Sequence, residues 1–181
     1  LIATLDRQGN MRGKVTVSEG MLNLPEAKIS SFAGDATFTV AEMRLQHIAT
    51  EFAFSKVKLS GEKSAKPVSE QADKKSAGFP LHDMAIDQIS VKGDIRGLPD
   101  SWSGQLDLSI VGGQSTVGSM NIQKISISLP MQINLDQDSW RIGLRNPGQV
   151  TLGKIDSGTA LRFQNPLRLS ISQANLELIK N

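Results

Sequence analysis

The stretch Ile125-Ser126-Ile127-Ser128-Leu129-Pro130-Met131-Gln132-Ile133-Asn134-Leu135 places an aliphatic residue at every second position. On a helix these side chains would spread around the circumference. On a strand they all fall on one side, with Ser126, Ser128, Gln132 and Asn134 on the other. The stretch therefore reads as one long β-strand with an apolar and a polar face. Pro130 lies on the polar face and lacks a backbone donor, so the strand is expected at a sheet edge or bulged there.

The same two-residue period recurs outward from this stretch. Leu106, Leu108 and Ile110 alternate with Asp107 and Ser109, and Leu167, Leu169 and Ile171 with Arg168 and Ser170. Trp140, Ile142 and Leu144 repeat it, as do Leu176 and Leu178, Val15 and Val17, and Phe38 and Val40. Phe52 and Phe54 are followed by Val57 and Leu59, a slip of phase that predicts a bulge. Residues 41–50 could form a helical turn or two through Met43, Leu45 and Ile48; the strand reading is preferred.

Turn punctuation separates the runs: Gln8-Gly9-Asn10, Leu98-Pro99-Asp100, Gly112-Gly113, Asn146-Pro147-Gly148, Asp156-Ser157-Gly158 and Asn165-Pro166. Such spacing fits an antiparallel meander, a sandwich or an open curved sheet. The expected class is all-β with little helix, an antiparallel meander forming a curved, partly open sheet. Asp100-Ser101-Trp102 and Asp138-Ser139-Trp140 form a faint repeat, each opening an alternating strand with a Trp that caps the apolar face. Residues 61–78 hold one large aliphatic, Val68, too little apolar surface to offset ordering entropy. They are expected to be a polar loop or linker between β-subregions 1–60 and 79–181. The chain starts at Leu1 rather than Met, as expected of a segment of a longer protein.

Composition narrows the functions. The 181 residues carry a net charge of +2, 4% aromatics, no Tyr and no Cys. Absent cysteine excludes disulfides, thiolate zinc ligands and thiol catalysis. No basic stripe is interleaved with aromatics, so nucleic acid is not an expected partner. No apolar run is long enough for a membrane helix. Of the two histidines, His47 and His82, only His82 has an adjacent carboxylate, Asp83, and neighbours on a strand point to opposite faces and do not readily share one ion; Gly112 to Gly118 lacks the Gly-Lys-Ser/Thr end of a phosphate loop. That glycine segment reads as a flexible hairpin connection. Asp136-Gln137-Asp138 begins like a calcium loop, but Arg141 and Pro147 stand where Gly and Glu are needed, so it reads as a polar turn. No catalytic residues, metal or cofactor are assigned, and an enzyme is not expected.

The aliphatic stripes remain, and they admit two readings. They are either the core of a closed β-domain, with a structural or interaction role in a secretion or envelope assembly, or an apolar surface left open for acyl chains. The second needs only continuous aliphatic area, since hydrophobic burial is non-directional. Its candidate lipid-facing residues are Leu106, Leu108 and Ile110; Ile125, Ile127, Leu129, Met131, Ile133 and Leu135; and Leu167, Leu169 and Ile171.

Four segments carry a family resemblance: Met84-Ala-Ile86-Asp-Gln-Ile89-Ser-Val91-Lys-Gly93, Trp102-Ser-Gly104-Gln-Leu106-Asp-Leu108, Ile125 to Leu135, and Trp140-Arg-Ile142-Gly-Leu144. In these the chain resembles the AsmA-like envelope proteins of Gram-negative bacteria, particularly the YdbH and TamB relatives. The resemblance covers residues 80–181 well and 1–60 more loosely. It implies a periplasmic β-structure with a taco-shaped apolar groove, in a parent protein anchored in the inner membrane. The implied activity is shielding phospholipid acyl chains on their way towards the outer membrane. Phospholipid is then the expected partner, and membrane contact would lie in parts of the parent outside this sequence.

Overall fold

The computed structural model describes residues 2–5, 10–24, 27–42, 44–59, 82–98, 101–117, 120–157, 162–163 and 165–179. All regular structure among them is strand. There are twelve: β1 (Ile2–Leu5), β2 (Met11–Asn23), β3 (Ala27–Ala41), β4 (Arg44–Leu59), β5 (His82–Leu98), β6 (Ser101–Val117), β7 (Met120–Asp136), β8 (Ser139–Leu144), β9 (Gly148–Asp156), β10 (Arg162–Phe163), β11 (Leu167–Ile171) and β12 (Asn175–Ile179). All pairings are antiparallel, within one sheet that does not close on itself. β5, β6 and β7 each run 17 residues, about 55 Å at ~3.3 Å per residue.

The order from β1 to β8 follows the chain, as a meander requires. β4 pairs β5 from His47↔Arg96 to Leu59↔Met84, so the strands on either side of 61–78 belong to the same sheet. Residues 61–78 themselves lie outside the described residues. Ala41 ends β3, Glu42 lies in a turn and residues 44–50 begin β4, in agreement with the strand reading.

Beyond β7 the pairing divides, with β9 along one half of the strand and β8 along the other. The cause is an interrupted strand. β8 and β9 run in the same direction along the same side of β7, and β12 and β11 pair them in turn. Between the Met131↔Leu144 and Ser128↔Gln149 pairs, β7 has two residues (129–130) and the facing chain has four (145–148). The excess falls opposite Pro130. The Arg145 N–H donates to the Pro130 carbonyl at 2.9 Å. In an antiparallel strand a residue's N–H and C=O point the same way, so the missing Pro130 donor faces this break.

Three expectations are corrected here. Pro130 is not on an edge, since β7 is paired on both sides; the irregularity expected there as the alternative lies in the facing chain, which absorbs the lost donor. Asn146-Pro147-Gly148 and Asn165-Pro166 punctuate strands that continue onward, without reversing the chain. Gly112 and Gly113 lie within β6 rather than in a hairpin connection.

Gly112 belongs to a larger feature. It has φ +72°, while Lys56 and Lys124 also have positive φ, at 51° and 56°. Around these residues the alternation slips by one. Apolar-face residues are three apart instead of two at Phe32/Ile29, Phe54/Val57, Ile89/Ile86, Ile125/Ile122 and Leu152/Ile155. Because neighbouring strands slip together, the pairs Ile29↔Val57, Val57↔Ile86 and Ile122↔Ile155 stay in register. The bulge expected at Phe54/Val57 is thus one point on a seam crossing the sheet. Bulges bend strands and increase their twist. Among the described residues four of the five buried apolar side chains gather beside this seam, Val57 and Ile86 at 3% exposure, then Ile125 and Ile155; the fifth, Ile133, lies in the row of Gly104 and Ile142.

Candidate functional site

Residues directly opposite in an antiparallel ladder share a face. Following the register from strand to strand therefore assigns the paired side chains to a face. One row runs Gly13, Phe38, Ile48, Ile95, Gly104, Ile133, Ile142, Leu176. A second runs Val15, Ala36, Thr50, Gly93, Leu106, Met131, Leu144, and a third Val17, Gly34, Phe52, Val91, Leu108, Leu129. A fourth runs Gly20, Phe32, Phe54, Ile89, Ile110, Ile127, Val150, Leu169. No charged side chain stands in any of them. The sheet has one continuous apolar face extending from β2 to β11 and β12.

The expected residues all fall on this face. Leu106, Leu108 and Ile110 meet Met131, Leu129 and Ile127 directly, and Ile125 reaches Leu167 through Leu152. Ile171 lies opposite Gly148, and Leu135 sits between Trp102 and Trp140. The faint tryptophan repeat thus marks two equivalent positions flanking one leucine at one end of the face. Sequence reading missed the contribution of β2 to β5. Glycines occupy apolar-face positions there and interrupt the alternation, and neighbouring rings fill their space. The Phe38 ring lies where a Gly13 side chain would be, and the Phe52 ring covers Gly34.

No second layer covers this face among the described residues. No side chain there is below 2% exposure. Exposure rises towards the outer strands, reaching 53% at Leu176 and 50% at Leu178. At the break opposite Pro130 the face dips into a depression of about 300 Å³. It is lined by Leu129, Met131, Ile142, Gly143, Leu144, Ile171, Ala174, Asn175 and Leu176.

The opposite face is polar and laced with ion pairs. Lys14 pairs Asp35 at 3.1 Å, Lys92 pairs Glu51 at 2.6 Å, and Arg141 pairs Glu177 at 2.8 Å. The Thr16 hydroxyl donates to Asp35 at 2.6 Å; this bond first, then Lys14, lowers the Asp35 pKa. Asp94 is also lowered, first by Arg96 at 3.0 Å and then by His47 at 3.2 Å. Glu177 raises the Arg141 pKa. Arg145 reaches across β7 to Asp107 at 3.0 Å and to Gln105, bridging the strand that contains Pro130. These pairs are largely exposed and screened by solvent, so they add little to stability. Their arrangement keeps this face wet while the other stays apolar.

His47 sits in this polar ladder on interior strand β4; the His82 side chain lies outside the described residues. Among the described residues no group of three His, Asp or Glu is placed to hold a metal, and no helix is long and apolar enough to cross a membrane. Compared with protein-family models, curated proteins and solved structures, the chain matches none.

Proposed function

We propose that this chain is a segment of an envelope β-groove, of the AsmA-like kind, that shields phospholipid acyl chains between the inner and outer membranes. One observation carries the reading. The apolar face runs without a charge across an open sheet, and no layer of the described residues covers it. A soluble domain seldom exposes a contiguous apolar patch beyond a few hundred Å², and larger ones mark interaction surfaces. Acyl chains suit this surface chemically. They bring no donors or acceptors that a wall of Leu, Ile, Val and Phe would leave unsatisfied. Fully screening one long acyl chain from water is worth on the order of 10 kcal/mol, at ~0.8 kcal/mol per methylene. The polar face, with its ion-pair ladder, would meet the aqueous periplasm. Anchoring in the inner membrane would belong to other parts of the parent protein.

The test is a photoreactive residue at Leu108 or Leu129 in the parent protein, irradiated in cells. Lipid adducts at both, and none from polar-face Gln105, are expected. Adducts to protein alone would overturn the reading and favour a partner chain as the cover.

A further inference from the structure

The polar face divides in two. A neutral row, Ala33, Ala53, Ser90, Ser109, Ser128 and Gln149, crosses it from β3 to β9. The ion pairs named above all lie on the side of this row towards Trp102 and Trp140. On the other side, along the seam, stand Lys28, Lys56, Lys58, Lys124, Lys154 and Arg168, all exposed. Among the described residues none of these cations takes part in an ion pair. The described acids along the seam are Glu19 on β2, Asp87, whose carboxylate lies against Gly112, and Asp156 at the end of β9.

We propose that this end of the sheet is a docking surface for an anionic phospholipid bilayer, with the cations on lipid phosphates and the apolar margin beside them in the bilayer interface. This goes beyond the acyl-shielding reading, in which the polar face only meets water. The ion-paired part of that face keeps the aqueous role.

Three observations carry it. The first is that the lysines stand where they are locally costly. Lys28 and Lys58 are directly opposite on β3 and β4, and like charges so placed repel. Lys56 and Lys124 have φ of 51° and 56°, a region where an L-residue is strained and glycine is not. On the other half of the face, opposite charges meet across strands, so the cost is confined to the seam end. Local strain of this kind concentrates where a surface meets its ligand.

The second is spacing. Lys28 on β3 and Lys154 on β9 are five strand spacings apart, about 24 Å along the sheet. Cations spread so widely converge on no single phosphate. They suit a field of mobile phosphates, to which each lysine contributes a point charge. No aromatic side chain shares their rows to stack a base, so nucleic acid is the poorer match.

The third is the neighbouring margin. At the same strand ends the apolar face presents exposed Leu22, Leu59, Met120 and Phe163. Lysine on one side and large apolar side chains on the other is the composition of a surface that lies in a bilayer interface.

Flotation of the full chain with vesicles tests this. Phosphatidylcholine vesicles containing about a third phosphatidylglycerol should bind it at least about tenfold more tightly than phosphatidylcholine alone, less so as salt rises. Each lysine near an anionic surface is worth about fivefold in affinity. Lys28→Gln, Lys58→Gln and Lys154→Gln together should therefore remove most of the preference. Lys14→Gln, Lys92→Gln and Arg141→Gln together take the same charge from the ion-paired half and should leave the preference within about twofold. Equal binding to both vesicles, or equal losses from the two triple variants, would overturn the docking surface. So would a DNA duplex bound as tightly as the anionic vesicles. All six substitutions fall at exposed positions. Should the first triple variant fail to fold by circular dichroism, the salt series decides: binding to the anionic vesicles that is the same at low and high salt overturns the proposal. The acyl-shielding reading fails on different evidence. Lipid adducts at Leu108 without a preference for anionic vesicles remove only the docking surface; protein adducts alone, with the preference intact, remove only the groove.

Discussion

At the scale of single residues, the seam depends on backbone angles that most side chains avoid. Lys56 sits at φ 51° inside β4, where an L-residue's Cβ crowds the carbonyl. Lys56→Gly should therefore be tolerated, and Lys56→Val should cost about 1–3 kcal/mol, read from urea midpoints. Equal midpoints for the two would show that the left-handed turn is absent in solution. Asp94 offers a second test, through pH. Its folded pKa lies below the ordinary aspartate value, because Arg96 and then His47 favour the charged carboxylate. A depressed acid contributes stability that is complete above its unfolded pKa and is lost as pH falls through the folded value. The expected window is thus below about pH 4. Asp94→Asn should flatten the acid limb of a thermal-unfolding profile there and leave neutral pH almost unaffected. An unchanged acid limb would mean that the Arg96 and His47 contacts do not form.

At the scale of elements, β7 carries the sheet. It pairs β6 along its length on one side and both β8 and β9 on the other. Its response to a charge separates an open face from a closed core. Leu129→Asp places the carboxylate on a half-exposed site, so water can still reach it, and a loss of about 1–2 kcal/mol is expected. Val57→Asp, beside the seam at 3% exposure, buries an unpaired charge and should prevent folding. Comparable collapse of both variants in denaturant titrations would indicate that something covers Leu129. The elements also explain why some turn signals misled. Asn146-Pro147 and Asn165-Pro166 have the chemistry of reversals, and a proline stops a ladder locally. Whether the chain then turns back or resumes its course depends on the strands either side, which hold β8–β9 and β10–β12 to one direction.

At the scale of the whole molecule, the sheet is amphipathic: one face is aliphatic and the other ion-paired. Such a chain should bind the dye ANS in its native state and self-associate in plain buffer. Submicellar dodecyl maltoside should displace the dye and raise the unfolding midpoint, since a ligand at ten times its Kd adds about 1.4 kcal/mol. A native chain that neither binds dye nor gains stability from detergent would contradict an exposed apolar face.

The residue order alone determined that the chain forms strands and which side of most strands is apolar. A two-residue period has one geometric solution, and it is local. The runs from Leu106 to Ile110 and from Ile125 to Leu135 were legible for that reason, as was the slip after Phe54. Three things were decided only by tertiary structure. The rows of β2 to β5 joined the face because rings from adjacent strands cover Gly13 and Gly34, and a glycine carries no sign of such a neighbour. The slips fell into one seam because register couples each strand to the next. The open sheet was the class expected, yet only the structure separated it from a sandwich, because alternation is the same whether the covering layer is protein or not.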